Sequence, residues 1–254
     1  MHNIVVVGCG RSGTSAVAGT FGTSGYFTGR RGWESDPWNP RGYFEDLDAL
    51  KLNERILGAY APPPLEVLGR GHPATRAATH GQYWLAHLPL EVEVAPDEAL
   101  LSEMARCVEV SPYCLKDPQL CFTLPAWRPL LSDARFICVF RHPLATARSL
   151  VRMCGAIPHL QPLGVDEAWA LGTWRHCYRH VLERHRHVGD WLFLHFDQLF
   201  EAEGMDRLRR HADFEGLQPF VDPALRRSPE GGALDGETRA LYGTLCDLAE
   251  AGVR

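Results

Sequence analysis

Lysine is nearly absent from this chain of 254 residues: Lys51 and Lys116 are its only two lysines among 26 basic residues. The formal net charge is -5 and the isoelectric point lies near 6.2. Such a balance provides no general attraction to nucleic acid or to an anionic membrane. We therefore expect no nucleic-acid partner, and any phosphate binding must depend on a local basic pocket.

The sequence also lacks a long hydrophobic run. No segment approaches the roughly 20 apolar residues that span a bilayer, and Met1–Gly8 has no basic leader. We expect a cytoplasmic protein without a membrane span. Its eight cysteines are scattered and form no C-x-x-C pair, which favours reduced, mostly buried thiols over disulfides.

The length suits one α/β domain over residues 1–254. Compact apolar segments predict strands at Asn3–Gly8, Val108–Leu115, Arg135–Phe140 and Trp191–Phe196. Since helical segments separate them, we expect three layers, α/β/α, around a mainly parallel sheet with its ligand at the carboxyl ends of the strands.

Apolar periodicity and capping residues predict the helices. Between the first two strands, residues 24–106 are expected to form an acceptor-side region that includes an irregular, aromatic loop over Gly25–Phe44 and an exposed Ala61–Pro73. The predicted helices are Gly13–Phe21, Asp46–Leu57, Asp97–Arg106, one from Pro143 to Met153, Asp166–Val188, and most of the tail Asp206–Arg254.

The most informative motif is G-C-G-R-S-G-T-S at Gly8–Ser15, between a strand and a helix. As a Walker A loop it has Thr14 where the phosphate-binding lysine belongs, which argues against a kinase. As a dinucleotide fingerprint it requires a strand ending in an acid about 20 positions on. Glu34 and Asp36 are present there, but no strand precedes them.

A third interpretation makes the segment an anion-binding turn. The backbone N–H groups of a helix amino end hold a phosphate or sulfate group well. Hydroxyls at Ser12, Thr14 and Ser15 add donors, and Arg11 adds a cation.

Arg11-Ser12-Gly13-Thr14-Ser15 resembles the 5′-phosphosulfate loop of sulfotransferases that use 3′-phosphoadenosine 5′-phosphosulfate (PAPS). A second signature agrees: Arg141 closes a predicted strand and Ser149 lies on the next helix, as do the residues that hold the 3′-phosphate in that family. The resemblance implies a P-loop-like fold, PAPS as donor, 3′-phosphoadenosine 5′-phosphate (PAP) as product, and no metal.

Further segments extend this resemblance, which is to the bacterial type of the family. They are Asn39–Asp46 with Leu52–Arg55, Lys116–Leu120, and Val221–Pro223 with Arg226 and Arg227. The R-K-G motif of many eukaryotic members is missing, so the sequence leaves the contacts to adenine open.

Sulfuryl transfer needs a base for the acceptor and donors for the leaving group. We assign stabilisation of the leaving group to Arg11. We assign the role of base to Glu45, because related enzymes carry a glutamate that faces the acceptor. Asp46 is a rival base or a helix N-cap. Lys116 is a third catalytic candidate, and an ion pair with Asp117 is its structural alternative.

The expected acceptor is a small-molecule hydroxyl on a sugar, phenol or natural product. An aromatic wall of Trp33, Trp38, Tyr43 and Trp84 would suit such a ring. His72 and His80 are further candidate bases. The spacing of His176, His180, His185 and His187 does not favour a metal site.

Two other functions stay open on the sequence alone. One is an NAD(P)-binding Rossmann oxidoreductase. The other is a non-catalytic module that binds PAP. Neither composition nor charge indicates an oligomeric state.

Overall fold

The computed structural model describes residues 1–32, 34–60, 82–95, 97–223 and 232–251. Within these ranges a sheet of four parallel strands has the order β2-β1-β3-β4. The strands are β1 (Asn3–Val7), β2 (Cys114–Lys116), β3 (Ala134–Phe140) and β4 (Trp191–His195).

Eight α-helices flank the sheet in the described ranges. They are α1 (Thr14–Gly22), α2 (Leu47–Tyr60), α3 (Glu98–Cys107), α4 (Leu120–Trp127), α5 (Pro143–Ala156), α6 (Glu167–His180), α7 (Ala202–Ala212) and α8 (Gly236–Ala251). A π-helical turn, Val181–His185, continues α6.

Alternation of side chains along the strands builds a core on each face of the sheet. In β1, Val5 and Val7 face a cluster that includes side chains of α2, α4, α5 and α6. Ile4 and Val6 face the opposite cluster, with side chains of α1 and α7. Because successive strand residues point to opposite faces, a wholly apolar strand fits only between two layers of helices. The predicted three-layer α/β/α class is confirmed.

One predicted strand was wrong in position. Val108–Leu115 was expected as a strand, but β2 includes only Cys114 and Leu115 of that range and then continues to Lys116. Pro112 has no backbone N–H to donate. Pairing with β1 therefore starts after it, with Ile4 opposite Cys114.

The cysteines are free thiols, all eight of them, and seven are buried. Cys9, Cys121, Cys138 and Cys177 lie in the core with no exposed surface. Among the described residues, no helix is long and apolar enough to cross a bilayer. The predicted Ala61–Pro73 segment lies outside the described residues.

Candidate active site

The turn after β1 is shaped by close approaches that exclude side chains. A Cβ on Gly13 would lie 2.3 Å from Cδ2 of Phe196, and Gly13 has φ +98°. This backbone conformation is rare for residues with a side chain. Arg11, with φ 69°, also adopts left-handed geometry. The turn delivers the chain into α1 at Thr14, so the first N–H groups of the helix point into the space beyond β1.

Arg11 is held by contacts from two distant parts of the chain. Its Nε donates to Oγ of Ser149 at 3.2 Å, and its Nη2 donates to the carbonyl oxygen of Trp38 at 2.9 Å. Ser149 lies on α5, so the turn after β1 and the helix after β3 meet at this guanidinium. Arg11 and Ser149, predicted separately from two motifs, are in direct contact.

Arg141 follows the last residue of β3 and is 9% exposed. Its guanidinium carbon lies 4.7 Å from the centre of the Phe196 ring. Its carbonyl oxygen accepts from Nε1 of Trp174 at 3.3 Å. These contacts fix both the backbone and the side chain of Arg141 beside the turn after β1.

A single cavity of about 210 Å³ joins these residues. The amino end of α1 forms one wall, and four arginines surround the space with one acid, Asp222. Guanidinium groups and a helix amino end both favour anions. The lining residues include Arg11, Gly13, Thr14, Ser15, Trp38, Arg41, Arg141, Ser149, Arg152, Phe196, Phe200 and Phe220.

Lys116 forms a second polar centre at the carboxyl end of β2. It is 3% exposed, and its Nζ donates to Oγ of Ser15 at 3.0 Å and to the carbonyl oxygen of Tyr43 at 3.2 Å. It also forms a buried ion pair with Glu45, which is 8% exposed. The structure thus pairs Lys116 with Glu45, and Ser15 joins the pair to the start of α1.

Asp117 is a buried carboxyl next to this pair. Its Oδ2 accepts from Nδ2 of Asn53 at 2.9 Å and its Oδ1 from the N–H of Gln119 at 2.8 Å. Burial, followed by the charge of Glu45, raises the pKa of Asp117 to about 7. A carboxyl with this pKa is mostly protonated below neutral pH, which limits the negative charge near Glu45 in that range.

Asp46 serves as a helix cap. Its Oδ1 accepts from the N–H of Asp48 at 3.0 Å, and its Oδ2 accepts from the N–H of Arg30 at 3.3 Å. The bond from Asp48 caps the start of α2, and the bond from Arg30 joins the preceding loop to Asp46. Of the two roles that the sequence left open for Asp46, these contacts support the N-cap.

The candidate acceptor residues are distributed over several places. Trp38 lines the cavity, whereas the Tyr43 hydroxyl donates to Asp36 at 2.8 Å. Trp84 packs against Gly10, where an added Cβ would lie 2.8 Å from its ring. Trp33, His72, His80, Arg226 and Arg227 lie outside the described residues.

Three histidines of α6 and its π-helical continuation contact backbone carbonyl groups. His176 and His180 each contact the carbonyl oxygen of Leu88 at 3.0 Å, and His185 contacts that of Cys121 at 2.9 Å. Within the described part of the chain, no cluster of three or more histidine, cysteine or acidic side chains has the arrangement of a metal site.

Some site residues were missed from the sequence. Arg152 lines the cavity three positions after Ser149, a spacing that places both on one helix face and could have revealed it. The sequence gives no such spacing signal for three other groups: the Phe196 ring, the carbonyl group of Trp38, and Thr146. Oγ1 of Thr146 lies 3.4 Å from Oγ of Ser12.

The fold also bears on the dinucleotide interpretation. Between α1 and α2, the described residues 23–32 and 34–46 contain no strand. The second strand and terminal acid of a Rossmann site are therefore missing from that part of the structure.

Comparison with known proteins gives two matches. A model of the sulfotransferase family matches residues 3–218. A solved structure, the sulfotransferase domain from the Synechococcus PCC 7002 olefin synthase, aligns with a TM-score of 0.51 at 19% identity, over 96% of this chain and 94% of that one. No curated protein matches. The structural likeness supports the fold, and the family match, which extends over most of the sequence, shows that this chain belongs to the sulfotransferase family.

Proposed function

We propose that this sulfotransferase uses PAPS as donor and transfers its sulfuryl group to a hydroxyl of a small-molecule, carbohydrate or natural-product acceptor. The observation that carries the proposal is that Arg11, Arg141, Ser149 and the amino end of α1 all line one cavity. They come from two motifs far apart in the sequence. A donor with a phosphosulfate at one end and a 3′-phosphate at the other requires two such anion sites.

The phosphosulfate end fits the turn after β1. The N–H groups of Gly13, Thr14 and Ser15 stand at the start of α1, where their positive dipole ends favour an anion. Arg11 lies beside them and keeps its charge at every working pH. Arg11 therefore acts as an electrostatic clamp on the leaving phosphate, and its fixed charge stabilises the negative charge that builds there.

The 3′-phosphate fits Arg141 and Ser149. A guanidinium can donate two parallel bonds to one phosphate. The Ser149 oxygen already accepts from Arg11 at 3.2 Å, so its own O–H proton remains to be donated to an anion. Arg152, on the same face of α5, adds charge at this end of the cavity.

The transfer forms a bond between the acceptor oxygen and sulfur and breaks the bond from sulfur to the 5′-phosphate oxygen of the donor. We propose that Glu45 acts as the base and takes the proton of the acceptor hydroxyl. Lys116 holds this carboxylate in the buried pair and also binds Ser15, so the base is anchored to the helix that receives the phosphosulfate. Such anchoring favours in-line geometry between acceptor and donor.

Turnover of PAPS labelled in the sulfuryl group tests the proposal. The enzyme should convert it to PAP and transfer the label to at least one acceptor in a panel of sugars, phenols and nucleosides. The Arg11→Ala variant should do so at least about 100-fold more slowly, whereas Arg55→Ala, at an exposed ion pair with Glu103, should match the wild type. Tight PAP binding with no transfer would support the non-catalytic module, and binding of NAD in place of PAP would support the oxidoreductase.

A further inference from the structure

One carboxylate organises the loop formed by residues 36–43, which we call the Asp36 loop. Oδ1 of Asp36 accepts from the N–H groups of Trp38 and Asn39, each at 2.8 Å. Its Oδ2 accepts from the hydroxyl of Tyr43 at 2.8 Å. These three bonds join the first and last parts of the loop through a single side chain.

The same loop supplies acceptors to both candidate catalytic cations. The carbonyl oxygen of Trp38 accepts from Nη2 of Arg11 at 2.9 Å. The carbonyl oxygen of Tyr43 accepts from Nζ of Lys116 at 3.2 Å. The two residues whose carbonyl groups hold the cations are thus both bonded to Asp36.

Asp36 lies outside the set of residues that line the cavity, so it acts through others. Burial, and then the hydrogen bond to Asp36, raises the pKa of Tyr43 well above its ordinary value. The Tyr43 hydroxyl therefore remains a donor across the working pH range. Asp36 keeps two strong backbone acceptors in place, and with them the positions of a guanidinium and an ammonium group.

We propose that Asp36 is a positioning residue that sets Arg11 and Lys116 in their catalytic positions through the carbonyl groups of Trp38 and Tyr43. The proposal rests on the function proposed above. Misplacing a catalytic group by about 1 Å can cost about 100-fold in rate. Loss of Asp36 should therefore slow the chemical step much more than it weakens donor binding.

The test compares Asp36→Ala, Asp36→Asn and Tyr43→Phe with a matched control, Asp48→Ala. Asp48 is an exposed acid of the same region that pairs with Arg31 at 3.0 Å. The readouts are kcat and KM for conversion of PAPS to PAP with water as acceptor, and the Kd of PAP by calorimetry. Using water as acceptor makes the result independent of the natural acceptor.

We expect Asp36→Ala to lower kcat by about 10- to 100-fold while KM and the Kd of PAP change less than about threefold. Asp36→Asn should restore most of the rate, because its amide oxygen still accepts from the two N–H groups and its NH2 group can bond the Tyr43 oxygen. Tyr43→Phe should fall between the two, and Asp48→Ala should match the wild type.

A wild-type kcat for Asp36→Ala would overturn the proposal, and so would equal losses for Asp36→Asn and Asp36→Ala. A fall in kcat matched by an equal rise in Kd would also contradict it, since this would indicate general damage to the donor site. Failure of the proposed function looks different, because the unsubstituted protein itself would then neither bind PAP nor consume PAPS.

Discussion

Nε of Arg11 lies 3.2 Å from Oγ of Ser149, although the two residues are 138 positions apart. This bond joins the turn after β1 to the helix after β3. It places the residue that we assign to the leaving group beside the residue that we assign to the 3′-phosphate.

Removing Arg11 should affect turnover more than binding. We expect Arg11→Ala to lower kcat for PAPS by about 100- to 1000-fold, the usual effect of losing one preorganised donor to a developing charge. Ser149→Ala should lower kcat by up to about tenfold, because it removes a single hydrogen bond.

Because Arg11 and Ser149 are in contact, their effects should not add in the double variant. Measuring kcat for the two single variants and the double variant gives the coupling energy between Arg11 and Ser149 directly. Additive losses would contradict the shared role of the two side chains.

Gly13→Ala should disrupt the turn after β1. The new Cβ would collide with the ring of Phe196, and the alanine would have to adopt a φ of +98°. The collision and the backbone strain should together displace the start of α1. Gly25→Ala is the matched control, since Gly25 has φ +96° but no atom within 4 Å of an added Cβ. We expect both variants to lose about 1–3 kcal/mol of stability from the backbone conformation. Only Gly13→Ala should also lose PAP binding in calorimetry, and equal PAP affinities would refute this account of the turn.

Replacing the candidate base should leave the donor site intact. We expect Glu45→Gln to lower kcat with an acceptor by about 100-fold or more, the usual contribution of a general base, while PAP affinity stays near that of the wild type. Glu103→Gln, an exposed glutamate that pairs with Arg55, is the control. If Glu45→Gln retained full turnover, another group would have to take the acceptor's proton.

The fold should lose stability in mild acid. Burial is the main cause that lowers the pKa of four histidines from 6.5 to about 4: His87, His180, His185 and His211. Between these values the unfolded chain binds protons that the native histidines do not, so stability falls as the pH is lowered from 6.5 toward 4. The pKa of Asp117 is raised from 3.8 to about 7, so this group stabilises the fold as the pH falls. It is one group against four histidines of opposite effect.

Urea unfolding measured between pH 4 and pH 7 checks this expectation. His185→Gln, whose amide can still donate to the carbonyl oxygen of Cys121, should reduce the slope by at most about 1.4 kcal/mol per pH unit. Stability that rises as the pH falls over this range would contradict the assignment of neutral, buried histidines.

Strands β1, β3 and β4 and the turn after β1 could be predicted because their signals are local. A β-branched apolar run, a glycine turn and a helix start are adjacent in the sequence, and so are the end of β3 and Ser149. The position of β2 was harder to predict. Val108 and Val110 have strand propensity, but the start of a strand depends on pairing with its partner strand.

The second polar centre was predictable only in part. Glu45 and Lys116 were singled out separately, yet their buried pair joins residues 71 positions apart, and no spacing rule indicates such a contact. The sequence presents Asp36 only as an acid that lacks the preceding strand of a dinucleotide site. Its bonds to Trp38, Asn39 and Tyr43 depend on how the loop folds back on itself.

Calorimetry with PAP and with adenosine 5′-phosphate, for the wild type and Arg141→Ala, tests the central claim most directly because it needs no acceptor. We predict that the wild type binds PAP at least about tenfold more tightly than adenosine 5′-phosphate, since a charge-assisted bond to a phosphate contributes about 1.5–3 kcal/mol. Arg141→Ala should lose most of this preference while its affinity for adenosine 5′-phosphate changes little. Equal binding of the two nucleotides by the wild type would contradict the assignment of PAPS as donor.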